Sequence, residues 1–376
     1  MIDFNLLGNE YGTPLYIYDG EEIEKRINII KNIFKNFDYK IFYAMKANSN
    51  PELLKILSKN DLGADIVGPG EFIAAKKGNI EEILWNGNGK ITDDKKFFID
   101  NGLKYVVIDS FEEIEMWDNT DIVKLLRVNP NVDAKTHPHI STGLKTHKFG
   151  VPLDEMDKVK DKIDGLHLHI GSQITDVSPY MEAFSKVINI TNKYKYEYLD
   201  IGGGWGINYN GTELNVEEYK IKVLPVLEQF RGKLFIEPGR FIIGPSGFLL
   251  LKVIQVKKAS GKYFVVLDGG MNVLIRPVLY SAHHDIKILD SRSDEKCTCD
   301  FVGPLCETGD IIGKNRLTEI PKIGSYVVVE NAGAYGYSMS SNYNGMPKPA
   351  EVLVYKGEKK LIRKREKIED LFKDCI

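Results

Sequence analysis

Eight short apolar runs alternate with helical patterns between residues 41 and 237, and this alternation limits the possible folds more than any other feature of the chain. The runs cover residues 41–46, 63–67, 82–86, 104–109, 122–128, 164–170, 197–201 and 233–237. The segments between them, such as PELLKILSKN and VEEYKIKVLPVLEQF, place apolar residues at helical spacing. Strands that alternate with helices in this number predict a TIM-like (β/α)8 barrel. An open, doubly wound sheet is the alternative, because alternation alone does not reveal closure.

Polar residues follow the predicted strands, which favours the barrel because barrel active sites lie at the carboxyl ends of strands. These residues are Lys46, Asp65, Asn86, Asp109, Arg127, His169, Gly202–Gly204, Glu237 and Arg240. An Asp or Asn directly after a strand is most often a helix cap, and we assign that role to Asn86 and Asp109. The spacing of His167 and His169 predicts one core-facing and one barrel-facing side chain. We expect no zinc site there, because no third ligand follows at metal spacing.

Lys46 stands at the end of the apolar stretch IFYAMKANSN, before a turn that opens a helix at Pro51. A lysine is usually a solvated surface charge. We assign Lys46 a chemical role because the later strand ends offer the residues that a phosphorylated pyridine ring requires.

Two segments after the seventh and eighth strands indicate a phosphate site, where barrels typically form one. The run in LDIGGGWG exposes consecutive backbone N–H groups, although such a run is about as often a tight turn. Arg240 in EPGR offers a charged fork for a phosphate or a substrate carboxylate. Glu237 suits a protonated pyridine nitrogen, and the flat ring of His169 suits stacking on the pyridine.

Beyond Arg240 the pattern changes to β-rich runs separated by Gly and Pro, which predicts a second, all-β domain at the C-terminus. The runs are FLLLKVIQVKK, KYFVVLDGG, SYVVVENAG and EVLVYKG. An early strand is predicted at 14–18, before a helical pattern at 21–37.

Composition excludes several classes of partner. The 376 residues include 50 basic and 53 acidic side chains with no long basic block, so we expect no nucleic acid partner. Nowhere do about 18 apolar residues stand together, and no signal segment is visible, so we expect no membrane partner. The four cysteines are too few for a disulfide framework, which fits the cytoplasm. We take Cys297, Cys299 and Cys375 as exposed and nonessential, and assign no role to His283 and His284.

Motifs spread over both predicted domains resemble the alanine-racemase-type (fold type III) pyridoxal-phosphate decarboxylases. They are YAMKANSN, GADIVGPGE, NPNVDAKTHPHISTGLKTHKFG, HLHIGSQI, DIGGGWG, EPGR, DGGMNVLIRPVLY, VGPLCETGD and NAGAYGYSMSSNYNG. The resemblance covers nearly the whole chain and implies pyridoxal 5'-phosphate as the cofactor. It also implies that the barrel, residues 23–240, is inserted into the β domain, which residues 1–22 and 241–376 form.

The resemblance also implies a role for individual residues. Lys46 would bond the cofactor aldehyde, His169 would stack on the ring, and Glu237 would partner the pyridine nitrogen. The other implied cofactor contacts are Asp65, Ser172, Gly202, Gly203, Gly204, Pro238, Gly239, Arg240 and Tyr335. The implied substrate contacts are Arg240, Arg276, Tyr280, Glu307 and Tyr335. Cys306 would protonate the product carbon.

The expected reaction removes one carboxylate of an amino acid as CO₂ and protonates the same carbon. Arg276 favours a substrate with a carboxylate at its far end, since a planar guanidinium fits that group. Together with this feature, the resemblance implies meso-2,6-diaminopimelate as the substrate, which would give L-lysine in the last step of lysine biosynthesis. The resemblance further implies a homodimer with shared sites, in which Cys306 serves the partner subunit's Lys46.

Two alternatives stay open. The first is a related decarboxylase that acts on carboxynorspermidine, ornithine or another basic amino acid. The second is a non-catalytic pyridoxal-phosphate carrier, against which the presence of a large β domain counts.

Overall fold

The computed structural model describes residues 2–134 and 148–376. Its helices are α1 Phe4–Tyr11, α2 Gly20–Phe34, α3 Pro51–Lys59, α4 Pro69–Lys77, α5 Thr92–Asp100, α6 Phe111–Ile114, α7 Ser178–Tyr194, α8 Val216–Lys222, α9 Leu224–Leu227, α10 Arg240–Ile243 and α11 Arg276–Leu279. Its strands are β1 Leu15–Asp19, β2 Tyr39–Ala44, β3 Gly63–Ile66, β4 Ile83–Trp85, β5 Tyr105–Ile108, β6 Val123–Asn129, β7 Val151–Pro152, β8 Gly165–His167, β9 Tyr198–Asp200, β10 Lys233–Ile236, β11 Gly247–Ala259, β12 Lys262–Leu267, β13 Ile286–Ile288, β14 Ser291–Val302, β15 Ile311–Pro321, β16 Tyr326–Val329, β17 Ala350–Tyr355 and β18 Glu358–Arg363. Residues 135–147 of the motif that runs from Asn129 to Gly150 lie outside the described residues.

The chain divides into two compact units. One comprises Glu24–Ile207 and Thr212–Ile242, and the other comprises Met1–Ile23, Asn208–Gly211 and Ile243–Ile376. We call them the barrel unit and the β unit. Within the described residues, no helix combines the length and the apolar character that a membrane crossing requires.

The barrel unit contains a closed parallel sheet. Its strands pair in the order β5-β4-β3-β2-β10-β9-β8-β6, and a further pairing of β5 with β6 closes the ring. In that closing pair Ile108 lies opposite Leu126. The predicted (β/α)8 barrel is therefore confirmed, and the open doubly wound sheet is wrong.

Aromatic and aliphatic side chains from five of these strands fill part of the barrel core. Phe42, Leu84, Val107, Leu125 and Phe235 are fully buried and pack together. The rings of Phe42 and Phe235 meet edge to face, with centroids 4.9 Å apart. Because alternate strand residues point inward, this apolar layer leaves the residues after the strand ends free to be polar.

The sequence predicted that Lys46 ends a strand, but the structure places it after the strand. Strand β2 ends at Ala44, and residues Met45–Ala47 form a short 3-10 turn in which Lys46 is exposed between two buried neighbours. The hydroxyl of Tyr43 donates to the carbonyl of Asn48 at 3.0 Å, which ties the turn to the strand. The Asn50 side chain then caps α3 by accepting from the N–H of Glu52.

The β unit is built on a mixed sheet in the order β15-β14-β12-β11-β1-β17-β18, with β16 paired to β11 and β13. Strand β1 runs antiparallel to β11 and parallel to β17, so the N-terminal strand lies inside this sheet. Leu15, Ile17, Leu250, Val328 and Val352 form its buried core.

The long pair β14 and β15 was not among the predicted strands, because SRSDEKCTCDFV and IIGKNRLTEIP carry many charges. The prediction that Cys299 is exposed is wrong, since it lies buried in β14 opposite Tyr263. This burial raises the pKa of the Cys299 thiol to about 11.

Candidate active site

Glu237 follows β10 and is held by two side chains from other strands of the barrel. Asn86, after β4, donates from Nδ2 to Glu237 Oε1 at 2.9 Å, and Nε2 of His167, at the end of β8, lies 3.3 Å from Oε2. All three side chains are buried. The direction of this carboxylate is therefore fixed by the protein on both oxygens.

The cap role assigned to Asn86 and Asp109 is wrong. Helix α5 has Ile91 as its N-cap, and α6 is capped by the side chain of Ser110. Asn86 instead bonds Glu237, while Asp109 accepts from the N–H of Gly150 at 3.2 Å. Both side chains face groups from distant segments, which local sequence could not indicate.

Arg127 brings a buried positive charge to the same end of the barrel. Its Nε lies 3.9 Å from Oδ1 of Asp109, and its Cζ lies 4.3 Å from the centre of the Phe149 ring. Pairing with an acid and an aromatic face allows a guanidinium to stay buried.

Asp200 adds a second acid beside Glu237. Ligand atoms of His167, Asp200 and Glu237 all lie within 4.8 Å of one another, and the three side chains are buried. The reason given against a metal at His167, that no third ligand follows, is therefore wrong, because the fold supplies two acids. We interpret the group as a proton-sharing cluster, because its acids already accept hydrogen bonds from the protein. Glu237 accepts from Asn86, and Oδ1 of Asp200 accepts from the N–H of Gly202.

Burial controls the charge of these groups. It raises the pKa of Asp65 to about 7, helped by the charge of Glu237 and opposed by Lys46. Burial raises the pKa of Asp200 well above its ordinary value, and Glu237 adds to this effect. The pKa of Glu237 is also raised by burial, but Lys46 and Arg127 oppose the rise. Burial thus favours the protonated form of Asp200, whereas the positive charges near Glu237 favour its carboxylate form.

Both histidines of HLHIGS are kept neutral. Burial lowers the pKa of His167 well below its ordinary value, and the charges of Arg127 and Lys46 lower it further. Burial likewise lowers the pKa of His169, together with the charge of Lys46. Nδ1 of His169 accepts from the N–H of Gly203 at 3.2 Å, so the ring carries its proton on Nε2.

The glycine run differs from the prediction in how it uses its N–H groups. The first two are not exposed, because Gly202 donates to Asp200 Oδ1 at 2.8 Å and Gly203 donates to His169 Nδ1. The close approach of backbone explains why these positions are glycine. A Cβ on Gly203 would lie 2.1 Å from the carbonyl oxygen of Glu237, and one on Gly204 would lie 2.2 Å from that of Gly171.

The EPGR segment connects the glycine run to the turn of Lys46. The carbonyl of Pro238 accepts from the N–H of Ala44 at 3.2 Å, and Gly239 packs where a Cβ would lie 3.1 Å from Ala44 and Ala47. Arg240 donates from Nη2 to Ser172 Oγ at 2.9 Å. The sequence-predicted residues of the barrel unit thus come together at one end of its strands.

This set of residues fits pyridoxal phosphate. Asp65 Oδ1 is buried and finds no hydrogen-bond partner among the described residues. The hydroxyl of Ser172 and the guanidinium of Arg240 offer donors for a phosphate, and Glu237 offers a fixed acceptor for a ring nitrogen. Lys46 is exposed, and its charge acts on Asp65, Glu237 and His169.

In the β unit, Arg276 is the first residue of α11 and is buried, with 4% of its surface exposed. Its Nη1 lies 2.7 Å from Nε2 of His284, and its Cζ lies 4.5 Å from the centre of the Tyr209 ring. Tyr280 is half-buried at the end of this helix, where its N–H donates to the carbonyl of Arg276. Tyr335, also half-buried, has a left-handed backbone with φ of 57°.

Cys306 and Glu307 are exposed and approach the same turn, Tyr343–Gly345. The N–H of Cys306 donates to Asn344 Oδ1 at 3.3 Å, and the hydroxyl of Tyr343 donates to Glu307 Oε2 at 3.3 Å. Their loop is anchored by Asp310, which accepts from the N–H of Leu305 at 2.8 Å. Cys306 therefore lies on an exposed loop that Asp310 holds at Leu305.

Several residues of this description had no site role assigned from the sequence, among them Arg127, Asn86, Asp200, His284 and Asp310. Asn86 and Asp200 carried a usable signal, because both stand at the carboxyl end of a predicted strand. His284 carried none, since its role depends on a contact with Arg276 that only the folded chain reveals.

Comparison with known proteins gives one consistent family. A family profile described as "Pyridoxal-dependent decarboxylase, pyridoxal binding domain" matches residues 20–244. A diaminopimelate decarboxylase of Aquifex aeolicus is 41% identical over 384 residues, which covers 96% of this chain and 91% of the relative. The crystal structure of diaminopimelate decarboxylase from Helicobacter pylori complexed with L-lysine is 35% identical, with a TM-score of 0.92 and 98% of each chain covered. The enzyme from M. jannaschii in complex with L-lysine is 32% identical, with a TM-score of 0.92, covering 100% of this chain and 94% of that one.

Proposed function

Because this chain belongs to the pyridoxal-dependent decarboxylases, and within them to the diaminopimelate decarboxylases, we propose that it converts meso-2,6-diaminopimelate to L-lysine and CO₂. The observation that carries the proposal is Glu237, a buried carboxylate fixed on both oxygens at the carboxyl end of the barrel, beside the charge of Lys46. A carboxylate in that position stabilises a protonated pyridine nitrogen.

Pyridoxal phosphate, when bound, supplies an electron sink for the carbanion left by loss of CO₂. Lys46 would hold its aldehyde, Ser172 and Arg240 its phosphate, and His169 one face of its ring. Burial raises the pKa of Asp200, which favours its protonated form, and Glu237 would then be the acceptor for the ring nitrogen. Asp65, Gly202–Gly204, Pro238, Gly239 and Tyr335 complete the proposed contacts.

Most of the proposed substrate contacts belong to the β unit. Arg276 would bind the carboxylate at the far end of the substrate, because a guanidinium pairs with a carboxylate through two parallel hydrogen bonds. Tyr280, Glu307, Tyr335 and Arg240 would hold the rest of the substrate. Cys306 would donate the proton to the product carbon, and its exposure leaves the thiol accessible.

The proposed assembly is a homodimer with shared sites in the cytoplasm. Its support is the family resemblance for the dimer and the sparse, free cysteines for the compartment. The proposed domains are residues 1–22 with 241–376, and residues 23–240.

Incubation of the pure protein, loaded with pyridoxal phosphate, with meso-diaminopimelate tests the reaction. We expect equal amounts of L-lysine and CO₂, and much slower reaction with ornithine or lysine. A preference for ornithine would replace the proposed substrate with the related-decarboxylase alternative. Cofactor binding without any CO₂ release would favour the carrier.

A further inference from the structure

We infer that His284 is a positioning residue that holds Arg276 in the direction needed to bind the far carboxylate of the substrate. This inference rests on the proposed function, because it concerns how that substrate is selected. Nη1 of Arg276 lies 2.7 Å from Nε2 of His284.

That contact determines the tautomer of His284. A guanidinium can only donate hydrogen bonds, so Nε2 must accept and cannot carry a proton. Nδ1 therefore carries the proton, and it donates to the carbonyl of Glu330 at 2.8 Å. His284 thus links a fixed backbone carbonyl after β16 to the guanidinium at the start of α11.

An aromatic ring completes the restraint. Tyr209 is buried with its ring centre 4.5 Å from Cζ of Arg276, and its ring meets that of His284 at 75° with centroids 5.1 Å apart. His284 is itself fully buried. The guanidinium is therefore held in its plane by the ring and along one edge by the imidazole, and these two contacts together restrict the direction in which it faces.

A turn after α11 brings His284 back to Arg276. The N–H groups of Tyr280 and Ala282 both donate to the carbonyl of Arg276, at 3.0 and 3.3 Å, and Ser281 adopts a positive φ of 50°. This turn reverses the chain after α11. Arg316 donates from Nη2 to the carbonyl of His284 at 3.0 Å and holds the segment that leads into β13.

The consequence for binding is selective. L-Lysine, the proposed product, keeps the far carboxylate, whereas 1,5-diaminopentane has the same amines without it. Loss of the restraint on Arg276 should weaken binding of carboxylate-bearing ligands alone. Because the same contact exists before and during the reaction, KM should change and kcat should not.

Two substitutions separate the hydrogen bond from the packing. His284→Gln places an amide oxygen near the position of Nε2 and keeps an acceptor for Arg276. His284→Asn keeps a donor for the Glu330 carbonyl but does not reach Arg276. The neighbouring His283→Gln is the matched control, because His283 is partly exposed and bonds Asp285 instead.

With pyridoxal phosphate bound, we expect His284→Asn to raise KM for meso-diaminopimelate and the inhibition constant of L-lysine by about tenfold or more. Its kcat and the inhibition constant of 1,5-diaminopentane should change by less than about threefold. His284→Gln and His283→Gln should stay near wild type. His284→Phe, which keeps a ring against Tyr209, replaces His284→Asn in the comparison should the latter not fold.

Unchanged constants in a folded His284→Asn, a parallel rise for 1,5-diaminopentane, or a failure of His284→Gln to restore binding would each overturn the role of His284. A wild-type protein that does not decarboxylate meso-diaminopimelate would overturn the proposed function, and this inference with it. The wild-type control thus distinguishes the two failures.

Discussion

Lys46 and Glu237 illustrate how differently two charged residues can be placed at one end of a barrel. Lys46 is exposed on a 3-10 turn, where a cofactor aldehyde can reach it. Glu237 is buried, and the cost of burying a carboxylate is offset by Asn86, His167 and the positive charges of Lys46 and Arg127. The residue proposed to bond the cofactor is therefore exposed, while the acid proposed to act on the ring is fixed.

Replacement of Lys46 by Ala should remove both the visible absorbance of the bound cofactor and turnover, because the aldehyde then lacks the amine that bonds it. The absorption spectrum and CO₂ release are measured on the same preparation. Lys55→Ala is the control, since that amine pairs with Glu52 on helix α3. A wild-type spectrum in Lys46→Ala would exclude Lys46 from its central role.

Arg276→Ala should lower kcat/KM for meso-diaminopimelate, because a two-pronged, charge-assisted contact is lost. The lost transition-state stabilisation should be on the order of 2–4 kcal/mol. Any slow decarboxylation of lysine should suffer far less, since lysine reacting at its only carboxylate has no carboxylate at the far end. The exposed Arg292→Ala serves as a control. Equal losses on both compounds would remove Arg276 from substrate selection.

Asp65 should make stability depend on pH. Its pKa rises from about 4 in the unfolded chain to about 7 in the fold, so the folded state binds the proton more tightly between these values. This contribution is present below about pH 4 and is lost as the pH rises to about 7. It amounts to at most about 4 kcal/mol.

Asp65→Asn removes that dependence. With saturating pyridoxal phosphate, we expect the thermal midpoint of the variant, relative to wild type, to be higher at pH 8 than at pH 5. A difference between the two proteins that is the same at both pH values would show that Asp65 does not carry a raised pKa.

At the scale of elements, the connections after the strands organise the site more than the strands do. The glycine run after β9 bonds Asp200 and His169 through its own N–H groups, and the EPGR segment packs against the turn of Lys46. These connections approach one another as closely as backbone permits. A single methyl group is therefore enough to disturb them.

Gly203→Ala tests this packing, because its Cβ would lie 2.1 Å from the carbonyl oxygen of Glu237. We expect the free energy of unfolding to fall by about 1–3 kcal/mol and the binding of pyridoxal phosphate to weaken. Denaturant unfolding measures the first effect, and titration with the cofactor measures the second. Gly89→Ala is matched to it, since nothing lies within 4 Å of that added Cβ. Equal effects of the two substitutions would contradict the close approach described for the loop after β9.

At the scale of the whole molecule, the predicted residues divide between the two units. The barrel unit contains Lys46, His169 and Glu237, whereas the β unit contains Arg276 and Cys306. The proposed homodimer combines them across two chains. A closed two-fold assembly repeats its interface and produces two equivalent sites.

Mixing Lys46→Ala with Cys306→Ala, after dissociating each dimer, should restore activity if Cys306 serves the partner subunit's Lys46. One site of a mixed dimer then carries both defects and the other carries none. With half of the dimers mixed, activity should reach about a quarter of wild type.

The control mixture joins Lys46→Ala with Glu237→Gln, two changes within one barrel, and should recover nothing. Absence of recovery in the first mixture, with mixed dimers demonstrated by mass spectrometry, would place Cys306 in the site of its own chain or outside the site.

Local periodicity determined much of this protein. Short apolar runs that alternate with period-3.6 patterns predicted the eight barrel strands and their helices, and the polar residues at the strand ends gave Lys46, Asp65, His169 and Glu237 as candidates. The tertiary structure alone decided the closure of the barrel between β5 and β6, the groups that hold Glu237, and the burial of Cys299. Asn86 and Glu237 are 151 positions apart, and Arg276 and His284 meet only because a turn reverses the chain. Such contacts arise from the folded path of the backbone, whereas a sequence pattern reports only which face of its own element a residue occupies.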